Sequence, residues 1–436
     1  MSAEDARYPL ISRPGAAPFS IARAEGAYLI TADGRRILDA AGGAIVANIG
    51  HGRAEVGAAY ARAVTETSFA VPPFATPDRV RLVEKLRDHW LPEELSRMAF
   101  TSGGSEAMDA AIRLARQHHV SAGQPKRWKV IGRNLSYHGA TLATLGIGGH
   151  EKRRAPFKPW LPDLPKAPAC FCTHCPMGET YPGCALACAD ELDRVIDAAD
   201  PDTVAAFVAE PISGSTIGAV CPPDDYWPRI AEICRDRGIL LIMDEVMTGF
   251  GRTGKRFALE HWNVVPDILV GGKGLGGGYA PISGVYAREE VVAPIAAAGD
   301  ELMFFTYSAQ TGACAAAFTV LDILEREGLV ERAATIGREL RERLEALTAH
   351  PNVLEVRGRG LLLGIELVQD RETRTPFPTD AGLTAKVVAA GLKNGAYFYP
   401  GGSGPPFTIG SEEIDLIVDV LERSITSAVE RVGRRG

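Results

Sequence analysis

The stretch from Gly238 to Tyr286 leaves a chain of this kind few choices of fold. It opens with an apolar run, Ile239 to Met243, short enough and β-branched enough to be a buried strand. Two carboxylates, Asp244 and Glu245, stand where that strand ends. A second apolar strand, Asp267 to Val270, runs into a glycine-crowded loop whose only lysine is Lys273. In parallel α/β sheets, ligands bind beyond the carboxyl ends of the strands. An acid and an amine are therefore offered to one crevice from two different strands, and an α/β fold is expected.

Two nucleotide-binding patterns overlap this stretch, and both fail on context. Gly249 to Lys255 spells G-x-x-x-x-G-K, but Arg256 stands where a magnesium-binding Ser or Thr should be, and no helix pattern opens there. Gly272, Gly274 and Gly277 match G-x-G-x-x-G, yet the following residues, Ala280 to Tyr286, read as strand. A strand-end Asp paired with a loop Lys is instead what pyridoxal phosphate requires. The amine forms a Schiff base with the cofactor, and the carboxylate keeps the pyridine nitrogen protonated so that the ring accepts carbanion electrons.

At these residues the chain resembles the class III (ω-type) aminotransferases, pyridoxal-phosphate enzymes of fold type I. The matching pieces are MDEVMTGFGRTG and PDILVGGKGLGGG, and the resemblance runs from about Phe19 to the C-terminus with the motifs in the family's order. It implies a large domain with a mostly parallel sheet and helices on both faces, plus a smaller α+β domain. The expected division is 1–70 and 326–436 for the small domain and 71–325 for the large one, with a cysteine-rich insert at 168–190. The resemblance also implies transamination, with Lys273 as the residue bonded to the cofactor and Asp244 on its ring nitrogen.

Further roles follow position by position. Residues 98–101 read as a strand, and Ser102-Gly103-Gly104-Ser105 turns into a helix expected over 106–118. Free N–H groups at such a helix start suit a phosphate, although an ordinary Ser N-cap looks the same. The resemblance assigns Gly104 and Ser105 to the phosphate. It places Tyr137 of SYHGAT on the pyridine ring with His138 beside it, Val246 on the opposite ring face, and Glu210 next to Asp244. In FFTYSAQTGACAAAFTVL it implies that Thr306 reaches the phosphate of a partner subunit, so a homodimer or tetramer is expected. Ala44 and Ile45, in the small-residue run AAGGAIVANIGHG, are expected to line the substrate pocket with Phe74 and Tyr137.

Other elements are expected as a hairpin over 27–38, helices over 53–65 and 79–90, and strands over 128–132 and 204–208. The C-terminal segment reads strand 360–368, helix 380–392, strand 396–399 and helix 412–432, with Ser411 as a plausible N-cap.

Five of the eight cysteines form one cluster, Cys170, Cys172, Cys175, Cys184 and Cys188, spaced C-x-C-x2-C-x8-C-x3-C. Cys184 and Cys188 are expected to share a helix face. A structural metal such as zinc, reduced packing thiols and disulfides are all open readings. Transamination itself needs no metal.

Composition excludes some partners. A net charge of −7 argues against a nucleic acid or an anionic membrane, and no apolar run approaches the ~18 residues of a membrane span. The N-terminus lacks the apolar core of a secretory signal, so a cytoplasmic enzyme is expected. The partners are then small molecules, an amine and a 2-oxo acid or aldehyde.

Rival chemistries on the same cofactor are a dialkylglycine-decarboxylase-like reaction, suggested by RGRGLLLGIELVQDRETR, and an aminomutase or epimerase. A P-loop ATPase and a non-catalytic metal-binding protein are the remote alternatives. Many members of the family pair the acceptor carboxylate with an arginine near the last strand of the C-terminal domain. Here no Arg or Lys lies between Lys393 and Arg423. A wide, mainly apolar pocket for a bulky or long-chain amine is therefore expected, with Arg153 and Arg154 as substitute cations.

Overall fold

Both ends of the chain contribute to one small sheet in the computed structural model, which describes residues 20–433. Strand β1 (Ile21–Glu25) pairs antiparallel with β2 (Tyr28–Thr31), and β2 with β3 (Arg36–Asp39). The expected hairpin is present. The additional strand β1 is almost wholly exposed, so it lacks the apolar alternation that would have marked it.

The large sheet follows. Its strands are β4 (Arg97–Thr101), β5 (Lys129–Arg133), β6 (Lys166–Ala167), β7 (Val204–Ala209), β8 (Leu240–Glu245), β9 (Ile268–Gly271) and β10 (Ser283–Ala287), in the order β4-β10-β9-β8-β7-β5-β6. All neighbours run parallel except β10, which is antiparallel to both β4 and β9. Every residue of β7, β8, β9 and β10 is buried. That follows from helices covering both faces, which leaves unbroken apolar runs in place of alternation.

The two faces belong to two apolar clusters. Ile242, Val208 and Val270 pack with Ala107 and Met108 of the helix Gly104–Ser121. Leu241, Met243 and Leu269 face Trp227 and Ile230 of the helix Tyr226–Asp236. Because side chains alternate along a strand, Asp244 shares the face of Ile242, and Glu245 shares that of Met243. The two carboxylates are thus sent to opposite sides of the sheet.

A third sheet holds β11 (Val353–Arg359), β12 (Leu362–Asp370) and β13 (Thr375–Pro376). β14 (Ala396–Tyr397) leaves this region and adds in parallel to β3, with Ala396 opposite Leu38, and β15 (Gly402–Ser403) pairs with β12.

Several boundaries differ from expectation. The helix expected over 79–90 spans Pro77–Lys85 and ends in a wider π turn, Leu86–Trp90, where Trp90 Nε1 donates to Glu325 at 2.7 Å. The C-terminal helix begins at Ser411, and its Glu413 reaches back to the Gly410 N–H at 2.8 Å, so Gly410 and not Ser411 occupies the cap. Cys184 and Cys188 do not share a helix face. The helix starts only at Ala187, after Ala185 and Leu186 take left-handed backbone angles, and Cys184 lies in the turn before it.

The cysteine-rich insert carries free thiols, Cys170 buried and Cys172 exposed. Among the described residues no group of three or more His, Cys, Asp or Glu side chains is placed to hold a metal ion, so the zinc reading of Cys170, Cys172, Cys175, Cys184 and Cys188 gains no support. Among the described residues no helix is long and apolar enough to cross a membrane. The N-terminal segment read for a secretory signal lies outside them.

Candidate active site

The crevice beyond β8 and β9 receives the acid and the amine. These strands are parallel neighbours with Asp244 opposite Val270 and Glu245 opposite Gly271, so Lys273 follows two residues past the end of the register. Lys273 adopts a left-handed backbone conformation, φ 42°, which costs a non-glycine residue roughly 1–3 kcal/mol and recurs where function dictates geometry. The loop is pinned from outside: Asn48 Nδ2 donates to Gly274 O at 2.9 Å and to Phe250 O at 3.3 Å. Burial is the main influence holding the Lys273 amine below the ordinary lysine range. Asp244 opposes that effect, and the guanidiniums of Arg252 and Arg153 reinforce it.

Asp244 is buried and fixed at both oxygens. Oδ2 lies 2.8 Å from His138 Nδ1, and Oδ1 accepts from the Val246 N–H at 3.1 Å. His138 is itself buried, and its Nε2 has no partner. Glu245, on the other face, accepts from Ala258 N at 3.0 Å, Leu259 N at 2.8 Å and the Thr248 hydroxyl. Burial raises its carboxyl to about 7. It clamps the turn after β8 and takes no place in the crevice.

Glu210, just past β7, holds the next segment. Its Oε1 accepts from the Tyr137 N–H at 3.1 Å, and Arg133 Nη2 donates to its carbonyl at 2.9 Å, to Oε2 at 3.3 Å and to Ser213 Oγ at 2.9 Å. Tyr137 and His138 are therefore set in place by a fully buried arginine at the end of β5.

The helix Gly104–Ser121 begins beside Val246. A Cβ on Gly104 would come within 2.8 Å of Val246 Cγ1, so only glycine lets the helix start approach this closely. Ser105 Oγ accepts from Ala140 N at 3.0 Å, which joins the helix start to the loop that carries Tyr137. Asp244, Lys273, Tyr137, His138, Val246, Gly104, Ser105 and Glu210 are thus linked through bonds and contacts around one crevice.

The remaining expected residues stand further out. Ile45 is buried at φ 60°, an uncommon angle for a β-branched side chain, and lines a small cavity with Met247, Tyr399 and Ser403. Ala44 beside it is exposed. Phe74 is 66% exposed and Thr306 is also exposed, so a single subunit does not bring either into the crevice. Around Gly249–Lys255 the chain makes turns and then a short 3-10 turn, Ala258–His261, which provides no helix for a nucleotide phosphate.

The class-III aminotransferase family profile matches residues 11–425. The chain belongs to the class-III aminotransferases. It is 36% identical to an uncharacterised aminotransferase of Schizosaccharomyces pombe, over 98% of this chain and 96% of that protein. It is 35% identical to the putrescine–pyruvate aminotransferase of Pseudomonas aeruginosa, over 94% of this chain and 91% of that one. An (S)-enantioselective ω-transaminase from Thermomicrobium roseum superimposes with a TM-score of 0.90 at 36% identity, covering 94% of this chain and 93% of the other. The aminotransferase therefore has the fold-type-I architecture of these enzymes.

Three residues that organise the aminotransferase crevice were missed in the sequence: Asn48, Arg133 and Arg252. A charge closing the apolar strand KVIGR is the signal that would have exposed Arg133. Arg252 lay inside a motif weighed for phosphate binding, whereas its Nη1 donates to Pro405 O at 2.5 Å and ties the turns after β8 to the C-terminal segment.

Proposed function

We propose that this class-III aminotransferase uses pyridoxal phosphate to move an amino group from a primary amine or ω-amino compound to a 2-oxo acid such as pyruvate. The observation that carries the reading is the pairing of Asp244 and Lys273 at the ends of adjacent parallel strands. Other residues around the crevice fit the cofactor. The close approach of Gly104 to Val246 leaves a helix N-terminus beside the crevice for a phosphate. Asp244, held by two donors, suits a protonated ring nitrogen.

When bound, the cofactor supplies the electron sink for the substrate's carbanion. The chain's residues do the rest. Lys273, with its amine pulled down by burial, is more readily a free base near neutral pH and can take a proton from the substrate carbon and return it. Asp244, oriented by His138, would face the ring nitrogen. Tyr137, anchored through its N–H by Glu210, would wall one ring face, and Val246 would wall the other. Gly104 and Ser105 would hold the phosphate.

The same reading includes a homodimer, or a tetramer built from it. Thr306 lies among exposed apolar side chains, with Met303 74%, Phe304 55% and Tyr307 64% exposed. A partner covering this patch would receive Thr306 and Phe74 at its own site. The small domain is taken to comprise 1–70 and 326–436, supported by β14 pairing with β3 across the large domain of 71–325. A cytoplasmic location goes with the same proposal.

Lys273→Ala should lose both the absorbance band near the visible edge and amine-consuming turnover with pyruvate. Turnover close to that of the unmodified enzyme would refute the role of this lysine.

A further inference from the structure

A transaminase that uses an oxo-acid acceptor has to hold a carboxylate, and the region from which a cation would be expected has none between Lys393 and Arg423. Four basic residues, Lys152, Arg153, Arg154 and Arg252, lie in segments close to the candidate site residues in the chain or in space. Arg252 is 2% exposed, with Nη1 donating to Pro405 O and Leu361 O and its guanidinium carbon 4.7 Å from the Phe407 ring centroid. Its buried Nη2 has no hydrogen-bond partner, and a Cβ on Gly42 would lie 3.5 Å from it. Arg154 is spent on Leu145 O at 3.0 Å and Glu151 at 3.3 Å. Lys152 lines a separate apolar cavity with Phe377 and Phe398.

Arg153 differs from these. It sits in the short helix Glu151–Arg154 with its guanidinium carbon 4.2 Å from the centroid of the Tyr137 ring. It is exposed, and among the described residues its side chain has no hydrogen bond or ion pair. Stacking occupies the face of a guanidinium and leaves its in-plane N–H donors free, which is the geometry that takes a carboxylate through two parallel hydrogen bonds. The platform is fixed, because the Tyr137 N–H is held by Glu210 at 3.1 Å. The charge of Arg153 is also felt at the Lys273 amine, which places it within electrostatic reach of the chemistry.

We propose that Arg153, stacked on Tyr137, receives the carboxylate of the acceptor, and that the acceptor is a monocarboxylic 2-oxo acid. This rests on the transaminase reading above. The second half of the claim follows from the census of cations. One exposed, unpaired guanidinium pairs with one carboxylate, and a dicarboxylate would bring a second negative group against Arg252, which is buried, has Nη1 engaged and keeps only Nη2 unpartnered. An uncharged aldehyde would not use Arg153 at all.

The test compares the enzyme with Arg153→Gln and Arg153→Lys, using pyruvate, 2-oxoglutarate and butanal as acceptors. In Arg153→Gln, KM for pyruvate should rise about 30-fold, in keeping with loss of charge-assisted hydrogen bonds, while KM for butanal changes far less. Arg153→Lys should fall between. Calorimetric binding of propionate, which cannot be transaminated, should weaken by a similar factor in Arg153→Gln. An unchanged pyruvate KM, an equal rise for butanal, or tighter use of 2-oxoglutarate than of pyruvate by the unmodified enzyme would overturn the proposal. Failure of the transaminase reading would look different: the unmodified enzyme would lack both the absorbance band and amine turnover, while propionate titration would still report on Arg153.

Discussion

Replacing Arg133 with Met tests whether the crevice is held from beneath by a buried charge. One nitrogen of Arg133 serves three acceptors, Glu210 O at 2.9 Å, Ser213 Oγ at 2.9 Å and Glu210 Oε2 at 3.3 Å. Met fills much of the volume but donates nothing. Glu210, itself 5% exposed, would keep only the Tyr137 N–H. Hydrogen bonds to charged groups contribute roughly 1.5–3 kcal/mol each, and removing one partner of a buried ion pair costs about 3–5 kcal/mol because the other charge is stranded. The expected loss is therefore about 4 kcal/mol of unfolding free energy, read by urea titration at fixed protein concentration.

The contribution of the pair itself is isolated by a cycle with Glu210→Leu. Arg133→Met together with Glu210→Leu should cost about 2–3 kcal/mol less than the sum of the single changes, because neither charge is then stranded. A single-variant loss under about 1 kcal/mol, or a coupling near zero, would show that Glu210 is satisfied without Arg133 and would refute the reasoning.

Two other outcomes are expected. Lys273, whose pKa is lowered on folding, binds fewer protons in the folded than in the unfolded chain, so the cofactor-free protein should gain stability as pH rises from that lowered value towards the ordinary lysine value of about 10.4. Lys273→Met should flatten that part of the urea-midpoint profile, and an identical slope would contradict the burial of the amine. Mixing Lys273→Ala chains with Thr306→Val chains should restore about one quarter of normal activity, since half of the dimers are mixed and each carries one intact site. No recovery, or a fully active monomer by sedimentation, would remove Thr306 from the partner's site.

What the sequence made legible was the chemistry placed at strand ends. Buried parallel strands appear as unbroken apolar runs, so the acid closing LLIMDE and the lysine after ILVGG could be located without any contact information. That Asp244 and Glu245 would separate to opposite faces was implicit in the two-residue period, but which of the two enters the crevice depends on which cluster covers each face. Arg133 and Asn48 were not legible, because their partners lie far away in the sequence. The error at Cys184 has a local cause. An i, i+4 spacing implies a shared face only if a helix already exists there, and two left-handed residues, Ala185 and Leu186, delay its start to Ala187.

Asn48 has a consequence for how the protein is made. The residue that fastens Gly274 is synthesised 226 positions before it, and β3 gains its parallel neighbour only when Ala396 emerges. At the ribosome, the first segment therefore leaves with an open strand edge and an unpartnered amide, and must wait for most of the chain. Pairings so distant in sequence close slowly and leave strand edges exposed meanwhile. Release of a chain that stops short of β14 would yield the crevice's lysine and aspartate on a sheet whose N-terminal clasp has no closing strand. Competence for catalysis thus arrives near the end of translation, not domain by domain.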